Sequence, residues 1–203
     1  PSGSRLGRGG TSARLPALAA ATLVVVVVVV SLAGPAAGAA SLPAPGAPRI
    51  ADDYRGFLGL ASHEYFHCWN IKRIKPAAFL PYELARESYT RQLWAFEGMT
   101  SYYDDLALVR SGVIEPASYL ELLGRAITTV LRNPGRHVQS VADSSFDAWI
   151  KFCRRDENAP NAIVSYYAKG SLVALALDLT LRLRGASLDD LMRGFQDLVK
   201  RAR

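Results

Sequence analysis

Residues that bind soft metals or form covalent links are scarce in this sequence, which holds two cysteines and three histidines among 203 residues. Cys68 and Cys153 cannot form the disulfide framework that stabilises many secreted domains, so the fold must rest on a hydrophobic core. Half of the residues are hydrophobic and 21% are charged, a balance that supports such a core and excludes global disorder. A single bridge between the two cysteines stays open if the chain is exported.

Acidic side chains are absent from the first 50 residues, which carry Arg5, Arg8, Arg14 and Arg49. The rest of the chain holds nearly equal numbers of basic and acidic side chains, so the formal net charge of +6 mostly describes this tail. A nearly neutral globular part gives no reason to expect a nucleic-acid partner.

The tail continues as an uncharged apolar run, Leu15–Ala33, with seven consecutive valines at Val24–Val30, followed by small residues at Ala37–Ala39. This order is typical of a secretory signal peptide. The run is long for a signal, so an uncleaved membrane anchor is the alternative, and a low-complexity tail is a third. We expect residues 1–50 to be a signal or anchor plus linker. With either a signal or an anchor, residues 51–203 would lie outside the cytoplasm. If the tail is a reading-frame artefact, they would lie in the cytoplasm.

The alternation of apolar and polar residues that is typical of β-strands is also lacking, whereas the three-four spacing of amphipathic helices recurs. Pro76 and Pro81 predict a loop after the first helix, and Ser187 predicts the N-cap of the last one. The sequence therefore predicts a mainly α-helical domain over residues 51–203. Its predicted helices are 52–70, 83–112, 115–135, 140–153, 162–185 and 187–203.

Two of the three histidines, His63 and His67, lie four positions apart on the first predicted helix. Residues at this spacing share a helix face, so both imidazoles can bind one metal ion. Glu64 is offset by one position and can approach the open side of the metal, where a water would sit. Core histidines bonded to the backbone are the alternative. Cys68 points about 100° away from His67, which favours a packed thiol over a ligand.

A zinc site with an open position needs a third protein ligand. Glu97 lies in an otherwise apolar helical patch, where an unpaired buried carboxylate is costly and a metal would satisfy it. A buried salt bridge to Arg91 or Lys72 is the alternative. His137, in a loop-like context, is a weaker candidate for the third ligand.

Two further residues follow Glu97 on the same predicted helix. Gly98 would let a second helix come close to this point of the chain. Asp104 lies two turns on, where its carboxylate could accept the remaining N–H of a ligand histidine and fix its tautomer. A solvated helix acid is the alternative interpretation of Asp104.

Three segments, 57–76, 93–112 and 158–179, together resemble the glycyl aminopeptidase family of zinc metallopeptidases. The resemblance covers residues 52–203 and implies the helical C-terminal part of a gluzincin, thermolysin-like catalytic domain related to aminopeptidase N. It implies one Zn²⁺ ion bound by His63, His67 and Glu97.

The same resemblance assigns the catalytic groups. It implies Glu64 as the general base and Tyr167, in the segment Tyr167-Ala168-Lys169-Gly170, as the hydrogen-bond donor to the tetrahedral oxyanion. Without the resemblance, Tyr166 and Tyr167 would both be interpreted as interface aromatics.

The implied activity is zinc-dependent hydrolysis of peptide bonds, of the aminopeptidase type. Family members normally carry a β-rich region before the helix with the His-Glu-x-x-His (HExxH) motif, which here is His63, Glu64 and His67. They commonly carry a PDZ-like domain after the helices. We therefore expect a catalytic core truncated at both ends. An inactive or non-enzymatic membrane-tethered remnant that still binds zinc is the alternative, with membrane association through residues 15–33. A small-molecule zinc hydrolase or metal-binding module is the third hypothesis. Nothing in the sequence predicts an oligomeric state.

Overall fold

Seven α-helices follow one another along residues 48–201, the part of the chain that the computed structural model describes. Within this range no strand forms, so the prediction of a mainly α-helical domain is confirmed. The helices are α1 (Pro48–Phe66), α2 (Met99–Arg110), α3 (Pro116–Arg132), α4 (Val141–Phe146), α5 (Ala159–Ala162), α6 (Ala168–Arg182) and α7 (Leu188–Arg201). Two π-helical segments, Trp94–Gly98 and Ala148–Phe152, and two 3₁₀ turns, Ala77–Phe79 and Pro134–His137, lie between them.

The predicted signal or anchor segment, including the apolar run at 15–33, lies outside the described residues. Among the helices of residues 48–201, none combines the length and the apolar character that crossing a bilayer requires.

The core lies where α1, α2, α6 and α7 meet. The ring of Phe66 at the end of α1 stacks on Tyr103 of α2, with centroids 4.8 Å apart. Ala174 of α6 and Leu188 of α7 are completely buried beside them. Burying a leucine side chain contributes about 1.5–3 kcal/mol, so this core helps to hold the four helices together.

A buried carboxylate joins three of these helices. Asp178 of α6 is 2% exposed and accepts hydrogen bonds from the Leu188 N–H (2.7 Å), the Tyr102 hydroxyl (2.6 Å) and the Arg182 guanidinium (2.8 Å). Burial raises the pKa of this carboxyl, but the three donors outweigh burial and lower it. We call this group the Asp178 network.

A very close contact between two backbone segments occurs at Gly98, the last residue of the π-helical segment Trp94–Gly98. A Cβ atom built on Gly98 would lie 2.6 Å from the backbone of Gly170 in α6, nearer than real Cβ contacts allow. The prediction that Gly98 lets a second helix approach is confirmed. Because Gly98 follows Glu97, and Gly170 lies three residues after Tyr167, this contact brings the two predicted site residues to neighbouring elements.

The predicted helix at 83–112 is wrong over its first third, since residues up to Gln92 form turns and irregular chain. Leu84 is 97% exposed, and this stretch has no apolar face to pack against the core. Most helical stability in proteins comes from such packing, so propensity alone does not keep the stretch helical.

The predicted helix at 162–185 begins only at Ala168. The backbone N–H of Val164 donates to the Gln139 side chain (3.0 Å), and its carbonyl accepts from the Ser144 hydroxyl. Because these side chains satisfy the backbone outside a helix, the chain stays extended before α6. By contrast, the predicted cap of α7 is confirmed, since the Ser187 hydroxyl accepts a hydrogen bond from the Asp190 N–H (3.2 Å).

Candidate active site

The two histidines of the motif lie at the C-terminal end of α1. His67 follows the last residue of the helix, and its backbone N–H still donates to the His63 carbonyl (3.2 Å). Their rings meet edge to face with centroids 4.7 Å apart, and the two Nε2 atoms are 3.1 Å apart. The helical spacing therefore brings both imidazoles to one point.

Glu97 reaches this point from the π-helical segment Trp94–Gly98. Its Oε2 atom lies 3.2 Å from His63 Nε2 and 3.1 Å from His67 Nε2. The alternative partner Arg91 instead forms an ion pair with Asp143 on the surface. The three groups are the metal-binding arrangement that the described residues offer, and we call them the His-His-Glu cluster.

The other ring nitrogen of each histidine has an acceptor of its own. His63 Nδ1 lies 3.0 Å from Asp104 Oδ2, and His67 Nδ1 lies 2.8 Å from the backbone carbonyl of Asn70. A carbonyl or a carboxylate can only accept, so in the neutral rings both Nδ1 atoms carry the hydrogen. Both Nε2 atoms then present lone pairs to each other and to the Glu97 carboxylate.

Three acceptors that face one another need a positive charge between them. The pKa shifts of His63 and Glu97 have the directions that this need predicts. Burial opposes charge on His63, but hydrogen bonds to Asp104 and Glu97 outweigh it and raise the pKa of His63 to about 9. Burial also raises the pKa of Glu97, but its bonds to the two histidines outweigh this and lower that pKa to about 2. The cluster thus favours a proton or a metal cation at its centre.

The spacing of the cluster fits zinc. In a tetrahedral site with zinc–ligand distances of about 2.0–2.1 Å, neighbouring ligand atoms lie about 3.3–3.4 Å apart. The three ligand atoms of the cluster lie 3.1–3.2 Å apart. Two imidazoles and one carboxylate would leave the fourth position open, as in zinc sites that act in catalysis.

Neither alternative ligand belongs to the cluster. Cys68 is partly buried, is not bonded to Cys153 by a disulfide, and lies outside the His-His-Glu cluster. His137 is exposed at the end of the turn Pro134–His137, also outside it.

The two predicted catalytic residues border the cluster. Glu64 follows His63 on α1 and is partly buried. The ring of Tyr167 lies 6.1 Å from the His63 ring, centroid to centroid, and 4.6 Å from the ring of Tyr166. Burial, the Glu97 charge and the neighbouring Tyr166 all raise the pKa of Tyr167, which keeps its hydroxyl protonated.

An apolar pocket of about 370 Å³ lies beside one of these tyrosines, Tyr166. Tyr166 forms part of its wall, with Leu93, one turn before Glu97, and the exposed Trp149. The pocket is therefore connected to the cluster through ring contacts, since Tyr166 packs on Tyr167 and Tyr167 lies beside His63.

Sequence reasoning missed three residues around the cluster. Asn70 and Thr100 are buried and join the end of α1 to the π-helical segment, and the Ser62 hydroxyl donates to the Asp104 carbonyl (2.8 Å). The available signal was weak: Asn70 is a polar residue directly after an aromatic stretch. Its backbone carbonyl, which contacts His67, leaves no signal in the sequence.

Comparison with known proteins finds a family match and a similar solved structure. The model of the family described as M61 glycyl aminopeptidase matches residues 56–173. The crystal structure of an aminopeptidase N family protein from Idiomarina loihiensis is 53% identical with a TM-score of 0.71, over 77% of this chain and 27% of that one. A search of curated proteins found no match.

The helical fold and these matches identify a member of a peptidase family. The chain spans about a quarter of the length of its solved relative. It belongs to the M61 glycyl aminopeptidase family.

Proposed function

We propose that the chain is a zinc-dependent peptidase of the aminopeptidase type, in which residues 51–203 form the helical part of a gluzincin, thermolysin-like catalytic domain. The observation that carries the proposal is the convergence of three lone-pair-bearing atoms, from His63, His67 and Glu97, within 3.1–3.2 Å of one another. Without a cation, the lone pairs of these three partly buried atoms would repel one another. A zinc ion between them would relieve this repulsion.

His63, His67 and Glu97 would hold one Zn²⁺, which when bound supplies Lewis-acid polarisation of the scissile carbonyl and a more acidic water. Asp104 accepts the Nδ1 hydrogen of His63 and so keeps Nε2 available as a ligand atom. The Asn70 carbonyl does the same for His67.

Glu64 is proposed as the general base. It follows a ligand histidine on α1, and no described residue pairs with its carboxylate. The carboxylate would take a proton from the attacking water and transfer it to the leaving amine, a contribution typically worth 10²–10⁴-fold in rate.

Tyr167 is proposed to donate a hydrogen bond to the oxyanion of the tetrahedral intermediate. Its raised pKa keeps the phenol protonated at physiological pH, which this role requires. The apolar pocket that Tyr166 lines is proposed to hold a side chain of a peptide substrate.

Residues 1–50 are proposed to be a signal peptide or membrane anchor with a linker, which would place the peptidase outside the cytoplasm. Fractionation of cells that express the full chain, or the chain without residues 1–50, tests this. Loss of the exported or membrane pool on deletion supports the proposal, and an unchanged distribution contradicts it.

Metal analysis and peptide cleavage by the full chain test the function. We expect one zinc per chain in the wild type and in Glu64→Gln, with cleavage only by the wild type. His63→Ala should lose the metal, whereas His137→Ala, which removes an exposed histidine, should keep both metal and activity. Metal binding without cleavage by the wild type would favour the non-enzymatic alternative. Unchanged metal content in His63→Ala would contradict the site.

A further inference from the structure

Asn70 contacts both elements that carry the His-His-Glu cluster. It lies four residues after the end of α1 and is only 2% exposed. Its backbone carbonyl accepts the Nδ1 hydrogen of His67 at 2.8 Å. Its side-chain amide donates to the Phe96 carbonyl at 2.9 Å, and Phe96 directly precedes Glu97.

We propose that Asn70 is a positioning residue that sets the orientation of His67 and the place of Glu97 at the same time. Its carbonyl fixes the ring of one ligand, and its side chain fixes the backbone beside the other. The inference rests on the proposed metal-dependent function, because it concerns the geometry of that cluster.

The side-chain amide nitrogen of Asn70 has two hydrogen-bond acceptors. Its amide also contacts the hydroxyl oxygen of Thr100 (3.2 Å), and that hydroxyl donates to the same Phe96 carbonyl (2.5 Å). Thr100 is completely buried, so the three groups form a closed triangle without access to solvent. Buried networks of this kind hold their members rigidly when every donor is satisfied.

Phe96 is well placed to transmit this restraint to Glu97. It lies in the π-helical segment Trp94–Gly98, where the regular hydrogen-bond pattern of an α-helix is interrupted. A side chain that binds this carbonyl therefore determines where the following residue points more strongly than it would in a regular helix.

The backbone after Asn70 also depends on these contacts. Ile71 has a φ angle of 115°, a conformation that a β-branched residue adopts only where its surroundings hold it. The Ile71 N–H donates to the Ile74 carbonyl (2.8 Å), so the chain turns sharply here. Loss of the Asn70 side-chain bonds would release this turn and, with it, the carbonyl that contacts His67.

The alternative is that Asn70 stabilises the fold without any effect on the cluster. The two roles differ in metal affinity, since side chains that orient metal ligands typically change it by 10–100-fold. Gln139 is a matched control. It is also a buried amide (7% exposed) that bonds a backbone group, the Val164 N–H, but it contacts no member of the cluster.

The test measures Zn²⁺ and Co²⁺ dissociation constants, the Co²⁺ absorption spectrum and the melting temperature of the full chain. Asn70→Ala should weaken metal binding by about 10–100-fold and alter the Co²⁺ spectrum. Gln139→Ala should lower the melting temperature but leave the dissociation constants within about twofold of wild type, since it touches no ligand.

Asn70→Asp keeps the packing volume if the alanine variant fails to fold. It replaces the amide nitrogen, which carries both donors, by an oxygen that would face the Phe96 carbonyl, so it should weaken metal binding as well. Wild-type metal affinity in a folded Asn70 variant, or an equal loss in Gln139→Ala, would overturn the inference. Absence of metal binding by the wild type would instead overturn the proposed function itself.

Discussion

The contact between Gly98 and Gly170 makes a sharp prediction about stability. In Gly98→Ala, the new methyl group would lie 2.6 Å from two backbone atoms of Gly170, whereas ordinary contact begins at 3.4 Å. The neighbour is backbone and cannot rotate away as a flexible side chain could. The two elements must therefore separate by roughly 0.8 Å at a tightly packed point.

The size of the effect follows from two opposing contributions. Replacing glycine by alanine within a helix contributes about 0.5–1 kcal/mol to stability. Overpacking of a well-packed core costs about 1–3 kcal/mol. We expect a cost near the upper end of this range, because the new methyl group meets backbone atoms. We expect Gly98→Ala to lower the free energy of unfolding by about 1–2 kcal/mol. For a chain of this size that corresponds to a melting temperature about 2–8 °C lower.

Chemical and thermal denaturation of the full chain check this expectation, with Gly124→Ala as the control. Gly124 lies within α3, and a Cβ atom built on it meets nothing within 4 Å, so its replacement should raise stability by about 0.5–1 kcal/mol. The two alanine variants should therefore shift stability in opposite directions. Equal stabilisation by both would refute the reasoning about the close helix contact. Since Gly98 follows Glu97, we also expect weaker zinc binding by Gly98→Ala alone.

Three other substitutions test the site and the fold. Tyr167→Phe should reduce kcat by about 10²–10³-fold with unchanged zinc affinity, whereas Tyr166→Phe should have a much smaller effect; equal kcat in wild type and Tyr167→Phe would remove the oxyanion role. Asp104→Asn should weaken zinc binding by about 10–100-fold, measured by competition titration, because a neutral amide oxygen accepts the Nδ1 hydrogen of His63 less strongly than the carboxylate does. Asp178→Asn should lower the free energy of unfolding by about 2–3 kcal/mol at pH 7. The lowered pKa of Asp178 means that its stabilisation is present above about pH 4 and is lost as the pH falls through the folded value. The free energy of unfolding of the variant should therefore fall less steeply with decreasing pH than that of the wild type. An equally steep fall in both would contradict this account.

The sequence was most informative where one helix period sets the geometry. His63 and His67 share a face of α1 because of their spacing alone, and an isolated acid in an apolar patch pointed to Glu97. The role of Gly98 was also predictable, since a residue without a side chain next to a buried site suggests that a second helix comes close there.

Backbone-mediated features could not be predicted in this way. The Asn70 carbonyl that contacts His67 has the same chemistry as any other carbonyl, and its position depends on the φ angle of 115° at Ile71. The extended stretch at Val164 depends on Gln139 and Ser144, which are 25 and 20 positions away in the sequence. Long-range partners such as these override local helix propensity.

The placement of the site along the chain has a consequence for the order of its assembly. His63, the first residue of the His-His-Glu cluster, and Asp104, its hydrogen-bond partner, are 41 positions apart, and Glu97 lies between them. Tyr167 belongs to a later segment, beyond α3 and α4. During synthesis from the N-terminus, all residues of the cluster are therefore present in the nascent chain before Tyr167, the proposed oxyanion donor, has been made. We expect metal capture to be an early event of biogenesis, with peptidase competence acquired only when α6 docks on Gly98.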